Sequence, residues 1–280
     1  MHTTASDGRL TAAALIARAA KAHLTTIAVT DHDTVASIAE ATVLGHKLGI
    51  RVIPGIEITA VDRGRDVHVL GYFFDPDDDD LSAFLISQRA LRVTRVREIA
   101  AKLAELNMFI DIDNVLMEAA TRPGSSVGRP QIARELVRAG YLSSVQDAFD
   151  LWLASGQPAY VPRTGPSPAD VVKAIHDAHG IASFAHPGVT ERDDLVAPLA
   201  EIGLDAIEAY HSDHTPEDTA AYRRMAARLG ILITGGSDFH GENPDEPMRA
   251  QRSVLGAVVL PKEDFAALES RVSQSDDETV

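Results

Sequence analysis

The 280-residue chain has no cysteine. That excludes disulfides, thiolate metal sites and a cysteine nucleophile. Any metal site must use His, Asp and Glu, and such a nitrogen/oxygen shell suits Mn, Mg, Fe or Zn. No apolar run reaches the roughly 18 residues that a membrane-spanning helix needs. No basic-then-apolar leader precedes the fold, so the expected location is the cytoplasm, with no membrane partner. Positive charge is short: 26 Lys and Arg stand against 41 Asp and Glu, a formal net charge of -15. That balance argues against broad non-specific binding to nucleic acid, because neutralising phosphates takes Lys and Arg. A local basic pocket remains compatible with it, as do metal ions that bring their own positive charge. The length suits one large α/β domain or a core with an inserted subdomain, and no internal repeat is visible.

Strand and helix patterns alternate along most of the chain. A loop from His2 to Arg9 leads into a helix over Ala12 to His23, with Thr11 as its cap. Thr25 to Thr30 is a β-branched run that reads as a buried strand, and Asp31-His32-Asp33 follows it. A helix is predicted over Val35 to Leu48, a short strand over Arg51 to Pro54, and a strand carrying His68 over Asp66 to Phe74. Residues 81–159 are helical in pattern, with many Arg residues and no convincing strand; Leu81 to Leu106 reads as one long helix. This stretch is predicted to be an all-helical insertion, leaving 1–80 and 160–272 as the parts of one discontinuous α/β unit. The rhythm then resumes: a helix from Pro168 to His179, strands at Ile181 to Ala185, Asp205 to Tyr210 and Ile231 to Gly235, and a helix from Glu217 to Leu229. Val254 to Leu260 reads as a last strand, and 273–280 as a polar, disordered tail. Such alternation implies a mostly parallel sheet or barrel.

In such folds, active-site groups gather at the carboxyl ends of the strands. His32, Glu57, His186, His211, Asp238 and His240 all fall just past a predicted strand end, while His68 lies inside its strand. Imidazoles donate nitrogen lone pairs to a metal, and a carboxylate can bridge two ions and reduce their repulsion. Asp7, His32, Glu57, His68, His186, Asp238 and His240 supply such a set. Each residue alone also has a bland reading. Asp31 and Asp33 read as turn or helix-cap residues, with capping favoured for Asp33. Asp77 to Asp80 reads as a solvated loop and cap.

The run His2-Thr-Thr-Ala-Ser6-Asp7-Gly8, then Thr30-Asp31-His32-Asp33, Gly55-Ile56-Glu57, His68, Ala185-His186-Pro187 and Gly236-Ser237-Asp238-Phe239-His240 resembles the PHP (polymerase and histidinol phosphatase) family. The resemblance covers nearly the whole chain. It implies a distorted (β/α)7 barrel with two or three divalent metal ions in its mouth. His2, Glu57 and Asp238 would hold one ion; Glu57, His68 and His186 a second, with Glu57 bridging; Asp7, His32 and His240 a third. The helical insertion is similar to that of a subgroup acting on nucleotides, where it caps the barrel mouth. That subgroup's Arg-containing motif resembles Gly128-Arg129-Pro130-Gln131-Ile132-Ala133-Arg134, except that a His usually stands at the place of Gln131. The family also opens with a strand ending His-x-His, whereas here Met1 occupies x. A start site placed too late and a true truncation both fit, and either leaves the first metal site expected to be defective.

The resemblance implies hydrolysis of a phosphate ester on a nucleotide, such as a 3',5'-bisphosphate, or on a short oligonucleotide, with a metal-bound hydroxide attacking phosphorus. Manganese is the first expectation; Zn, Fe and Mg fit the same donors. Asp238 and His211 are the expected catalytic groups. Arg129 and Arg134 would hold a second phosphate, with surface charge on a helix as the even alternative. His211 and His214 would contact substrate or donate a proton to the leaving group. A 5'-3' exoribonuclease on short RNA and a non-catalytic metal- or nucleotide-binding module are the rival readings, and a histidinol-phosphate phosphatase comes after them. No sequence feature signals a stable protein partner.

Overall fold

Hydrophobic patterning sets most of the elements where the sequence predicts them. The computed structural model describes residues 1–121, 124–242 and 254–277, excepting the side chains of 275–277. Among them, β1 (Thr26–Val29), β2 (Arg51–Asp62), β3 (Arg65–Tyr72), β4 (Ile181–Phe184), β5 (Ala206–His211) and β6 (Leu232–Gly236) form one sheet in that order. The sheet curls into a half-barrel in a mixed α/β fold. The helices are α1 (Ala12–Lys21), α2 (Ile38–Lys47), α3 (Asp79–Glu105), α4 (Ile112–Ala120), α5 (Arg129–Arg138), α6 (Val145–Ala148), α7 (Pro168–Asp177), α8 (Pro187–Thr190), α9 (Val196–Glu201), α10 (Pro216–Leu229) and α11 (Lys262–Asp277).

Local chemistry explains many of the boundaries. Thr11 caps α1 through the Ala14 N–H, and Asp78 caps α3 through the Leu81 N–H at 2.7 Å. Ser167 with Asp170, and Thr215 with Asp218, close reciprocal capping boxes on α7 and α10, each with Pro in the first turn. β2 and β3 meet at the pair Asp62↔Arg65, which leaves a two-residue turn of Arg63 (φ 49°) and Gly64 (φ 77°). Positive φ at both positions is what the tight right-twisting hairpin turn requires.

The structure departs from the sequence expectation in four places. First, three of the five pairings among the described residues are parallel, but β3 runs antiparallel to both β2 and β4 because that tight turn reverses the chain. Second, the strand expected to stop at Pro54 continues to Asp62, so Glu57 sits inside β2 instead of past its end. Pro54 and Gly55 look like breakers, yet Pro54 pairs with the last residue of β1 and its carbonyl accepts the Phe73 N–H at 3.0 Å. Gly55 is there for space: a Cβ would lie 2.7 Å from the Val29 carbonyl oxygen. Third, Val254 to Leu260 is not a strand but contains a turn, with the Ala257 N–H on the Val254 carbonyl and Gly256 at φ 82°. Fourth, the tail expected from Ser273 is helical through Asp277, since α11 carries Leu268 and Val272 onto a cluster with Ile181 and Ala206; 278–280 lie outside the described residues.

The main apolar cluster lies between the sheet and its helices and includes Ile56, Ile58, Val69, Phe184 and Ile207. Residues 93–161 carry a separate cluster built on Val96, Ile99, Leu103, Ile132 and Leu136. Helix α3 joins the two: Leu81 and Leu85 belong to the first, and its later turns to the second.

Candidate metal centre

Buried hydrogen bonds hold the N-terminal loop across the ends of β1 and β6. The Thr30 N–H bonds the Met1 carbonyl at 2.8 Å, and the His2 N–H bonds the Phe239 carbonyl at 2.9 Å. Asp31 fixes the rest of the loop. Its carboxylate accepts the Thr3 N–H at 2.7 Å, the Thr3 hydroxyl at 2.6 Å, the Ser6 hydroxyl at 2.6 Å and the Ser37 hydroxyl at 2.5 Å. Asp31 is therefore a clamp for the loop that carries His2 and Asp7. Asp33 is not the cap of α2 either. It is fully buried at φ 53°, accepts the Thr59 N–H at 2.8 Å and pairs with Arg92 of α3; α2 begins later, after Ser37.

These constraints bring the eight sequence-predicted ligands into one cluster. Single donor atoms of His2, Asp7, His32 and His240 lie within 4.8 Å of one another, as do those of His32, Glu57 and His68, and those of His2, Glu57 and Asp238. His186 joins through Nε2, 3.1 Å from Glu57 Oε1 and 3.2 Å from His68 Nδ1. Two groupings expected from the resemblance, His2–Glu57–Asp238 and Asp7–His32–His240, are each within this reach, and His2 also belongs with the latter. Glu57 stands centrally: its Oε2 is 3.1 Å from His2 Nε2, and its Oε1 is 2.6 Å from His68 Nδ1.

The donors fit a cation better than they fit each other. His2 Nδ1 and His32 Nδ1 are buried with no hydrogen-bond partner among the described residues, and His2 Nε2, though 3.1 Å from both Glu57 Oε2 and Asp238 Oδ1, makes no well-aligned hydrogen bond with either. Orphaned buried polar atoms are costly and call for a ligand. The His2 and His240 rings stack at 4.0 Å, and His2 lies 4.8 Å from His32, so imidazoles crowd around common points. Burial opposes ionisation of Glu57 and Asp7, yet the surrounding histidines hold both carboxyls well below the usual range. Burial likewise disfavours a charged His2, but the Asp238 and Glu57 carboxylates overcome it and raise the pKa to about 10; His186 is raised to about 9 against burial, chiefly by Glu57. Burial brings His32 down to about 4. A divalent ion would take the place of the protons that His2 and His186 hold between the carboxylates, and ionised carboxylates beside neutral imidazoles form the shell it requires.

The other sequence-predicted residues sit around this cluster. His211 is buried; its Nδ1 accepts the Asp213 N–H at 3.1 Å, while its Nε2 lies 3.7 Å from Asp238 Oδ2 with no hydrogen-bond partner among the described residues. His214 lies 5.2 Å from it, ring to ring; its Nδ1 donates to the Ala209 carbonyl and its Nε2 accepts the Gly188 N–H. Both residues of the Arg motif reach this layer. Arg134 Nη1 donates to the Asp7 carbonyl at 3.3 Å, and Arg129 Nη2 lies 3.2 Å from Asp66 Oδ2. Gln131 spends both ends of its amide on backbone: Oε1 accepts the Gly128 N–H, and Nε2 donates to the Ser6 carbonyl at 2.6 Å. It thereby ties α5 to the loop that carries Asp7.

An arginine layer beside the histidines went unread in the sequence. Arg92 and Arg95 of α3, with Arg163, surround Asp33 and Asp66, and Arg92 also donates to the Thr59 hydroxyl at 2.9 Å. Burial and the neighbouring Arg92 lower the Arg163 pKa to about 9. The available signal was Asp66, two residues before His68 and hence on the same face of β3.

Comparison with known proteins bears on this arrangement. The model of the PHP domain matches residues 1–141. The 5'-3' exoribonuclease Rnm of Escherichia coli is 34% identical over 252 residues, which covers 87% of this chain and 84% of that protein. A 3',5'-nucleoside bisphosphate phosphatase of Chromobacterium violaceum is 32% identical over 244 residues, covering 85% of each. A crystal structure from Bifidobacterium adolescentis, described as that of a metal-dependent phosphoesterase, superimposes with a TM-score of 0.85 at 32% identity, covering 96% of this chain and 94% of that one. The chain belongs to the PHP family.

Proposed function

We propose that the chain is a metal-dependent hydrolase of phosphate esters on small nucleotides, a 3',5'-bisphosphate being the first substrate to test. The observation that carries this reading is the cluster of eight histidine and carboxylate donors with orphaned ring nitrogens. Within it, His2, Glu57 and Asp238 would hold one divalent ion, Glu57, His68 and His186 a second, and Asp7, His32 and His240 a third. Mn is the first candidate; Zn, Fe and Mg suit the same shell. Bound ions of this kind neutralise phosphate oxygens and make water a better nucleophile near pH 7.

The chain's own residues do the rest. Glu57, shared by two groups, fixes their separation. Asp238 completes the first group and holds His211 beside it, and His211 supplies a proton to the leaving oxygen. Arg129 and Arg134, with the arginine layer behind them, bind a second phosphate of the substrate, as a guanidinium does by paired hydrogen bonds. His214, its nitrogens engaged with backbone, orients His211. In this reading 1–80 and 160–272 make a (β/α)7 barrel, and 81–159 cap its mouth in the cytoplasm-resident enzyme. The Escherichia coli relative's name favours a second reading that differs only in substrate length: 5'-3' removal of nucleotides from short RNA.

The test is phosphate release from a 3',5'-bisphosphate and from a short 5'-phosphorylated RNA with added Mn²⁺. Wild type is expected to turn over one of them, EDTA to stop it, and Asp238→Asn to abolish it. Turnover that survives both EDTA and Asp238→Asn overturns the proposal. Mn²⁺ binding without turnover of either substrate favours a non-catalytic binding module.

A further inference from the structure

One buried carboxylate beside the cluster belongs to none of its donor groups. Glu208 stands in β5 between Ile207 and Ala209 and is 5% exposed. Burying a carboxylate is costly unless it has work to do there. Its Oε2 accepts the His186 N–H at 2.9 Å.

That contact falls on a strained residue. His186 has φ 27° and ψ 62°, near the left-handed region that a side chain with a Cβ disfavours. The chain must turn sharply here, because His186 leaves β4 and at once opens α8. The residue before it is pinned by the Ala185 N–H on the His68 carbonyl at 3.1 Å, and the His186 carbonyl receives the Val189 N–H at 2.9 Å. The His186 N–H lies between these two anchors, and Glu208 takes it.

A bulge in β5 sets the reach of Glu208. Glu208 pairs with Thr234, but Tyr210 pairs with Gly235, so Ala209 is an extra residue in the ladder. Strict alternation would send Glu208 and His211 to opposite faces of the sheet. The bulge re-aims them: Glu208 bonds the His186 backbone, and the His211 ring lies 5.5 Å from the His186 ring. Behind Glu208 is a cavity of about 520 Å³ that Tyr72, Thr234 and Leu70 also line, so the other carboxylate oxygen has room for water.

We propose that Glu208 is a positioning residue: by accepting the His186 N–H it holds the left-handed turn that aims His186 Nε2 at a divalent cation shared with Glu57 and His68. The inference rests on reading the cluster as a metal centre. An outer partner usually acts on the ligand's other ring nitrogen, and Thr190 Oγ1 does so at His186 Nδ1, 3.2 Å away; Glu208 acts in addition, through the backbone.

The experiment uses the full chain as wild type, Glu208→Gln, Glu208→Leu and Glu208→Ala. Mn²⁺ affinity is read by chelator competition, unfolding by the Tm of the metal-free protein, and the contact itself by amide exchange at His186. Gln keeps an oxygen to accept the N–H; Leu and Ala do not. The expected result is a loss of about 10- to 100-fold in affinity for one class of Mn²⁺ site in the Leu and Ala variants, faster exchange at His186 in both, and retention of most of the affinity in Glu208→Gln. Wild-type affinity in Leu and Ala overturns the proposal. An equal loss in Gln and Leu also overturns it, because the effect would then follow charge and not the acceptor. If wild type binds no Mn²⁺, the metal-centre reading fails; unchanged exchange at His186 in the Leu and Ala variants then rejects the Glu208 contact separately.

Discussion

Replacing Asp33 with Ala should be among the most damaging changes outside the metal ligands. Asp33 is fully buried and faces Arg92, itself 8% exposed, with Arg163 Nη1 3.7 Å away. Removing the carboxylate leaves the Arg92 guanidinium without its counter-charge, leaves Arg163 with Asp66 alone, and strips the acceptor from the Thr59 N–H. Breaking a buried ion pair from one side costs about 3–5 kcal/mol. The lost acceptor is part of that figure and not additional to it, since one group makes all these contacts. At about 2–4 °C per kcal/mol for a chain of this size class, the Tm should fall by roughly 10 °C. The assay is reversible urea unfolding of wild type, Asp33→Ala, Arg92→Met and the double variant. A destabilisation of about 3 kcal/mol or more in Asp33→Ala, with part of it recovered in the double variant, is the expected pattern. A loss below about 1 kcal/mol in Asp33→Ala would refute the reasoning, because that is the size of a solvent-exposed pair.

Two further changes test the loop that carries His2 and Asp7. Gly8→Ala would push a Cβ onto backbone, meeting the His2 carbonyl and lying 2.7 Å from Thr3 N. A cost of about 1–3 kcal/mol is expected from such overpacking, together with weaker Mn²⁺ binding in a chelator titration; an unchanged Tm would contradict the close approach. Asp31→Ala leaves the buried Thr3 N–H and the Ser6 hydroxyl without their acceptor, each worth about 1–3 kcal/mol when unsatisfied. Its Mn²⁺ content after dialysis should fall even though Asp31 touches no ion, and wild-type content would show that the loop holds itself.

Much of the candidate site was legible in the sequence because the expected chemistry uses few residue types in a fixed order. His2, Asp7, His32, Glu57, His68, His186, Asp238 and His240 come together from the N-terminal loop and from five of the six strands, most of which the β-branched runs already marked. What escaped was long-range. Asp33 next to His32 looks like a cap, because capping is the commonest local use of Asp; its partner Arg92 is 59 residues away and cannot be seen from local pattern. Gly55 looks like a loop residue because its reason for being Gly is the Val29 backbone opposite it. Val254 to Leu260 has strand composition, but Gly256 at φ 82° bends it out of the sheet. Glu208 did leave a local trace: a lone carboxylate within Ala206-Ile207-Glu208-Ala209, where every other residue is small or apolar. A charge in such a run signals a partner in the interior.

The most direct test of the metal centre is the Mn²⁺ stoichiometry of wild type against Glu57→Gln, measured by elemental analysis after removal of loosely bound ions. Glu57 lies within 3.1 Å of His2, His68 and His186 ring nitrogens, so it serves two of the proposed groups while the Asp7–His32–His240 group does not depend on it. Wild type should therefore bind more than one ion, and Glu57→Gln should retain a single ion with little change in secondary structure. Equal stoichiometry in the two proteins would contradict the account.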